Sequence, residues 1–412
     1  MTPEPGARSG DETRPAGRAA SPIEVLAAFL KLGLTSFGGP VAHLGYFRTE
    51  FVERRRWLDD RSYTDLVALC QFLPGPASSK VGIALGLGRA GWLGALAAWA
   101  GFTLPSAVAM VLFAHGIARW QDLAGSGAIH GLKVAAVAVV AQAVWGMARS
   151  LCPDFPRAAI AIGSTLLVLA VPSAAGQVGA IVAGGLIGWR VLELGTLPPH
   201  EGRDYGVSRA TGTAFLLAFG LLLALLPALA AANPSLALSA FAAFYQSGSL
   251  VFGGGHVLLP LLQASVVPPG WVGTDTFLAG YGAAQAIPGP LFTFAAFLGA
   301  SMPAPLGGWA GGALLLVAIF LPAFLLIVGS LPHWQALRSR SGMQRALAGI
   351  NAAVVGVLAA ALYDPVLKSA VHAPADLALA LAAFGLLMAG KASPVIVVAF
   401  AAAGGWALAA FA

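Results

Sequence analysis

The stretch LVALCQFLPGPASSKVGIALGLG, residues 66–88, decides the fold, because two prolines and a glycine interrupt an otherwise apolar segment. A membrane-spanning helix needs roughly 20 apolar residues, so the segment is about long enough to cross once. Pro74 and Pro76 each remove a backbone donor and clash with the preceding turn, and a helix does not run smoothly through them. We therefore predict a helical hairpin that enters the membrane, breaks at Pro74-Gly75-Pro76 and returns to the same side.

The composition around this segment is that of a membrane protein. Of 412 residues, 58% are hydrophobic and 10% are charged, and the mean hydropathy is +0.81. Soluble proteins carry about 25% charged residues. The runs 158–189 and 211–273 hold no Asp, Glu, Lys or Arg at all. They are continuous rather than alternating, which argues against a β-barrel. The sequence predicts an all-α, multi-pass membrane protein.

The chain contains an internal repeat. Phe37-Gly38-Gly39 recurs as Phe252-Gly253-Gly254, and Gln71 with its PGP recurs as Gln285 with Pro288-Gly289-Pro290. The same order of landmarks continues in three further pairs, which are Trp92 and Trp309, Leu104-Pro105 and Leu321-Pro322, and Gly131 and Gly349. We predict two homologous halves, 22–192 and 210–412, joined by a cytoplasmic linker, 193–209. A polar tail, 1–21, is expected to be disordered and cytoplasmic.

The loop charges predict that the two halves lie in opposite orientations. Five arginines follow the first FGG motif: Arg48, Arg54, Arg55, Arg56 and Arg61. The corresponding loop in the second half, 267–275, has no Lys or Arg, whereas a later loop reverses this bias with Arg338, Arg340 and Arg345 against Arg119. Cytoplasmic loops are enriched in Lys and Arg, so opposite charge in equivalent loops indicates an inverted repeat with broken, re-entrant helices.

The broken helices predict a binding site for a compact anion. Non-helical backbone survives at membrane depth only where protein or a water-filled cavity satisfies it. A short helix that begins at a break points a positive dipole end at the tip, and glycine lets a ligand approach. The candidate substrate-binding residues are Phe37, Gly38, Gly39, Gln71, Pro74, Gly75, Pro76, Ser78, Ser79, Lys80, Gly253, Gly254, Gly255, His256, Gln285, Pro288, Gly289 and Pro290.

Each candidate has a plainer interpretation that stays open. Lys80 could extend toward the cytoplasm instead of facing an anion. His43 and His256 could be hydrogen-bonded packing residues, and the glycines could be helix-packing contacts. Residues 54–56 could set the topology or collect anions.

Other classes of function find little support in the sequence. No acidic residue lies deep in a predicted span, which argues against a cation-coupled site. The sequence offers no catalytic or metal motif, and no cofactor is expected. The P-loop-like run 385–391 is followed by Ala392 where Ser or Thr is needed. The net charge of +6 fits basic loops rather than nucleic-acid binding.

Four runs resemble the bacterial chromate ion transporter family over nearly the whole chain: SFGGPVAHLGYFRTEFVERRRWLDD (36–60), LCQFLPGPASS (69–79), FGGGHVLLPLL (252–262) and QAIPGP (285–290). The resemblance implies a two-domain inner-membrane protein that exports chromate, with sulfate as a competing or exchanged substrate. Another inorganic or organic anion is the alternative cargo. The family pattern has Gln after PGPASS, where this chain has Lys80. The protein is expected to lie in a lipid bilayer, and whether it forms a homodimer is left open.

Overall fold

The computed structural model describes residues 21–119, 127–193, 204–334, 336, 340–390 and 392–411, and within these ranges all regular structure is helical. The predicted tail, apart from residue 21, lies outside the described residues. So do residues 194–203 of the predicted linker, and Arg338.

The first half consists of seven helices, and an eighth follows the linker. A π-helical turn, Arg48–Arg54, continues the second helix toward the loop. The helices are α1 (Pro22–Thr35), α2 (Gly39–Phe47), α3 (Asp60–Phe72), α4 (Ala77–Arg119), α5 (Gly127–Leu151), α6 (Phe155–Ala170), α7 (Ala174–Val191) and α8 (Arg209–Ala232).

The second half repeats this order of elements. Short 3-10 turns, Gly255–Val257 and Leu291–Thr293, lead into its second and fourth helices. The helices are α9 (Leu236–Ser249), α10 (Leu258–Val266), α11 (Thr274–Ala284), α12 (Phe294–Ala300), α13 (Gly308–Ser330), α14 (Ser341–Ala361), α15 (Pro374–Met388) and α16 (Pro394–Phe411). In sequence α9 corresponds to α1 and α16 to α7, so α8 has no partner in the first half.

Local sequence sets where these helices begin. The Ser21 hydroxyl accepts from the amide of Ile23 at the start of α1, and the Asp59 carboxylate accepts from the amide of Ser62 at the start of α3. Such caps satisfy amides that have no partner inside the helix. Asp154 caps α6 in the same way, and the hydrogen bond from the Arg157 side chain holds the pKa of Asp154 below its ordinary value.

A second break turns each half back on itself. Residues 90–91 leave helical geometry inside α4, and the backbones of Gly86 and Gly94 come so close that no Cβ fits between them. In a continuous helix, residues eight apart are about 12 Å apart. The chain therefore reverses here. The backbones of Gly299 and Gly311 meet in the same way between α12 and α13. Helices also end and restart at both PGP motifs, at 73–76 and 285–290, so the predicted broken helices are confirmed in both halves.

The two halves interlock through their later helices. α5 of the first half packs against α16, and α14 of the second half packs against α7. Each contact rests on glycines, because Gly131 and Gly405 face one another in the first pair and Gly349 and Gly188 in the second. Small residues let membrane helices approach closely. The exchange of equivalent contacts is the mark of a two-fold relation between the halves.

Six helical stretches among the described residues are long and apolar enough to cross a membrane: 77–117, 127–151, 174–191, 209–232, 308–333 and 341–370. α8, the helix without a counterpart, carries Leu217, Leu221, Leu225 and Leu229 exposed along one side, as expected of a helix that faces lipid. One additional membrane-spanning helix between the two repeats inverts the second repeat relative to the first. This agrees with the inverted arrangement that the loop charges predict.

Candidate functional site

The tips of the broken helices from the two halves contact each other. The amide of Gly289, in the second PGP motif, donates to the carbonyl of Ser36, which precedes the first FGG motif, across 2.9 Å. The amide of Gly75, in the first PGP motif, donates to the carbonyl of Val251 across 2.7 Å. We call the Gly289–Ser36 contact the first crossing and the Gly75–Val251 contact the second crossing, where the word means a contact between the two halves and not a passage through the membrane. The repeat makes them equivalent, since each joins a PGP tip to the other half's FGG break.

Glycine is required at both crossings. Gly75 and Gly289 have φ values of 98° and 95°, in the left-handed region that residues with a Cβ avoid. Neighbouring atoms also exclude a side chain. A methyl group on Gly289 would lie 2.7 Å from Ser106 Oγ, and one on Gly75 would lie 3.1 Å from Ala323 Cβ. The PGP glycines are therefore fixed by backbone conformation and by close contact together.

Lys80 lies in the first turn of α4 and has no exposed surface. Its Nζ donates to the carbonyl oxygens of Leu73 and, at 2.9 Å, of Pro74, which are left without helical partners where α3 ends. The side chain thus points back to the first PGP break. Within the described residues it forms no ion pair with a carboxylate. A protonated Nζ has three donors, and these carbonyls use two.

The first crossing is surrounded by polar side chains from α2 and α4. The His43 imidazole is 1% exposed, its Nδ1 lies 3.4 Å from Ser78 Oγ, and its ring meets the Phe102 ring edge-on at 5.3 Å. The Phe102 carbonyl and Ser106 Oγ in turn lie beside Gly289. These contacts connect the end of α1 and two parts of α4, its first turn and the region of Phe102 and Ser106, to the second PGP motif.

Four buried polar atoms around these elements have no hydrogen-bond partner within the described part of the chain. They are Ser36 Oγ, His43 Nε2, Ser79 Oγ and Thr103 Oγ1. All four residues are at most 2% exposed. Leaving a buried polar group unsatisfied costs about 1–3 kcal/mol, so such groups usually meet water, an ion or a ligand.

The corresponding residues of the second half differ in chemistry. His256 Nδ1 lies 3.0 Å from the hydroxyl of Tyr281, and Thr293 Oγ1 donates to the Pro290 carbonyl at 2.9 Å. The glutamines also differ, since Gln71 is exposed whereas Gln285 is half-buried with an Nε2 that lacks a partner among the described residues.

The FGG glycines shape the breaks. Gly38, Gly39, Gly253 and Gly254 all have positive φ. Gly38 and Gly253 are exposed, Phe37, Gly39 and Gly254 are half-buried, and Gly255 is buried. The PGP prolines Pro74 and Pro288 are half-buried, and Pro76 and Pro290 are buried.

Three residues near the first crossing escaped the sequence reasoning: Ser36, Thr103 and Ser106. Ser36 directly precedes the FGG motif, and Thr103 and Ser106 flank the repeated Leu104-Pro105. Their position next to a repeated motif is the feature of the sequence that could have pointed to them.

Two of the arginines after α2, Arg54 and Arg55, form ion pairs with one carboxylate, that of Glu50. Glu50 is 6% exposed and pairs with Arg55 at 2.8 Å, Arg54 at 3.5 Å and Lys31 at 3.8 Å. Burial raises the pKa of Glu50, but the hydrogen bond from Arg55 and the charge of Lys31 outweigh it, and the net pKa lies below the ordinary value. The cluster fixes the shape of this loop, and Arg54 remains largely exposed.

The repeated, broken-helix fold defines a multi-pass membrane transporter, and comparison with known proteins agrees. The chain belongs to the chromate transporter family, whose pattern matches residues 23–189 and again 238–406. It is a member of a family of transporters and not of enzymes.

Three relatives match over most of their length. "Chromate transport protein" of Pseudomonas aeruginosa is 29% identical over 93% of this chain and 91% of its own. "Probable chromate transport protein" of Synechococcus elongatus is 27% identical over 81% and 82%, respectively. "Chromate transport protein" of Cupriavidus metallidurans is 26% identical over 90% and 89%. No solved structure matches the chain significantly.

Proposed function

We propose that this protein exports chromate from the cytoplasm across the bacterial inner membrane, with sulfate as a competing substrate. Family membership and the names of the relatives support chromate as the cargo. The orientation from loop charge supports a cytoplasmic entrance near the exposed Arg54 and Arg61. Arginines at an entrance raise the local concentration of anions.

The observation that carries the proposal is a buried set of donors that lacks a carboxylate. Lys80 brings an amine into the centre of the protein, and the described structure gives it no acidic partner. Burying an unpaired charge is costly. Chromate and sulfate are tetrahedral dianions whose oxygens only accept hydrogen bonds, so either would compensate the charge of Lys80 and satisfy the nearby hydroxyls.

Transport by this architecture follows from the symmetry of the halves. Inverted repeats alternate access to a central site when the halves exchange conformations. The two crossings are the contacts that such a motion has to alter, because they join tips from opposite halves. During this motion the halves stay together through two glycine-lined helix contacts, α5 with α16 and α14 with α7.

The test is uptake into inside-out membrane vesicles from a host without chromate export. Vesicles that contain the protein should accumulate radiolabelled chromate, and excess sulfate should reduce the rate. Accumulation of molybdate or an organic anion in place of chromate, with the protein shown to be inserted, would reject the cargo. Uptake in right-side-out vesicles alone would reject the direction. Repeating the assay with and without a proton gradient identifies the coupling.

A further inference from the structure

The two-fold relation offers two equivalent places for an anion, one at each crossing. We infer that only the first crossing binds the oxyanion, and that the second crossing is a structural counterpart without a site. The inference rests on the proposed function for the identity of the cargo. Its geometry comes from the contrast between equivalent residues of the two halves.

The first half supplies polar side chains around the first crossing. Ser36 lies at the FGG break, His43 on α2, Ser78 and Ser79 at the start of α4, and Thr103 and Ser106 after its kink. Each of these six residues is at most 2% exposed. Four of them are connected through contacts: Gly289 bonds to Ser36, Ser106 lies beside Gly289, and His43 lies 3.4 Å from Ser78. The other two, Ser79 and Thr103, are chain neighbours of Ser78 and of Phe102, whose carbonyl also lies beside Gly289.

The equivalent positions at the second crossing are apolar or already paired. Ser36 corresponds to Val251, Ser78 to Phe292, Thr103 to Phe320 and Ser106 to Ala323, following the offsets of the repeat. These four are at most 3% exposed, so they form packed core. His43 corresponds to Leu258, which is fully buried, and Ser79 corresponds to Thr293, whose hydroxyl donates to the Pro290 carbonyl.

The unpartnered atoms supply the energetic argument. Ser36 Oγ, Ser79 Oγ and Thr103 Oγ1 can each donate to an oxyanion. Their burial without partners costs about 1–3 kcal/mol each, which a bound acceptor with four oxygens recovers. The start of α4 adds a positive helix end beside them. A negatively charged acceptor with several oxygens matches the chemistry of these donors.

The inference separates ligand binding from stability. A hydroxyl that only serves the fold is paired, and its removal lowers stability. Thr103 Oγ1 is unpaired in the described structure, so Thr103→Val, which keeps the shape, should leave the melting temperature of the anion-free protein unchanged or higher. The same substitution should weaken anion binding about tenfold, because hydrogen bonds to a charged group are worth about 1.5–3 kcal/mol.

The experiment measures binding to the full-length protein in detergent by equilibrium dialysis with radiolabelled chromate and, separately, sulfate. We expect one anion per chain and about tenfold weaker binding in Ser36→Ala and in Thr103→Val. Thr293→Val is the matched control, because Thr293 is the repeat counterpart of Ser79 and its hydroxyl is already paired with the Pro290 carbonyl; it should lower the melting temperature and leave affinity unchanged.

Two anions per chain would overturn the inference. So would equal losses of affinity in Thr103→Val and Thr293→Val, or a loss of stability in Thr103→Val with affinity unchanged. Failure of the proposed function has a different signature. Single-site binding of sulfate that Thr103→Val weakens, with no binding of chromate, would reject chromate as the cargo and retain the site.

Discussion

The amide of Gly75 donates to the carbonyl of Val251 across 2.7 Å, and so the first half's PGP tip is held by the second half's FGG break. The equivalent bond from Gly289 to Ser36 completes the exchange. Both glycine amides are therefore used by protein carbonyls and are not free to bind an anion. In the arrangement that we propose, the tips position the site, and side chains of α1, α2 and α4 donate to the ligand.

We predict that Gly75→Ala and Gly289→Ala each reduce chromate transport at least tenfold while the protein still inserts. An alanine at their positive φ costs about 1–2 kcal/mol, and its methyl group presses on Ala323 or Ser106. Vesicle uptake normalised to the amount of inserted protein measures the effect.

The matched control is Gly270→Ala. Gly270 also has positive φ, at 74°, but nothing lies within 4 Å of its added methyl group and it is in an exposed loop. It should keep near-normal transport despite the same backbone strain. Full activity in both tip variants would contradict the role of the crossings.

The sequence predicted the breaks themselves but not how they pair. Gly and Pro at 74–76 and 288–290 act locally, and their repetition revealed the two halves. The Gly289–Ser36 bond joins segments far apart in the chain, and its pairing depends on how the halves dock. The reversal at residues 90–91 was not predicted as a break within a helix, since Ala90-Gly91, which directly follows Arg89, carries no proline.

The burial and contacts of individual polar residues could not be predicted from the sequence either. Gln71 and Gln285 occupy the same place in the repeat, yet one is exposed and the other half-buried. Thr103 and Ser106 sit in an apolar helix, where small hydroxyl residues are tolerated for many reasons. The sequence also left two directions open for Lys80, and only the fold places its Nζ on the Leu73 and Pro74 carbonyls. Its role toward an anion stays a prediction.

Lys80→Gln should raise the half-saturating chromate concentration about tenfold. The amide can still donate to the carbonyls at the break, but a buried positive charge carried by the residue after Ser79 is lost, and charge-assisted hydrogen bonds are worth about 1.5–3 kcal/mol. Initial rates of vesicle uptake over a range of chromate concentrations give the value.

Lys31→Gln controls for the loss of one positive charge elsewhere. Its side chain is 56% exposed and pairs with Glu50 at 3.8 Å, so half-saturation should change less than about twofold. An unchanged half-saturating concentration in Lys80→Gln would mean that Lys80 only caps the end of α3.

The inverted arrangement predicts that equivalent loops lie on opposite faces. In a variant with Cys70 and Cys152 replaced by serine, Arg61→Cys should react with an impermeant maleimide only in inside-out vesicles. Pro269→Cys should react only in intact cells or right-side-out vesicles. Both positions are exposed, so reactivity reports sidedness rather than burial. Labelling of both from the same side would reject the inverted repeat.

The interlock of α14 with α7 makes Gly349 a position where even one methyl group should be harmful. A Cβ there would meet the carbonyl oxygen of Gly184 and lie 2.7 Å from the Cα of Gly188, which are backbone atoms that cannot rotate away. Forcing extra volume into a packed core costs typically 1–3 kcal/mol. Gly349→Ala should therefore lower the apparent melting temperature in detergent. Gly385→Ala provides the comparison, because nothing lies within 4 Å of its methyl group in the last turn of helix α15, and alanine there should not lower the melting temperature. Equal melting temperatures for the two variants would show that the halves separate easily at this contact, and the two-fold packing would then not be what holds them together during transport.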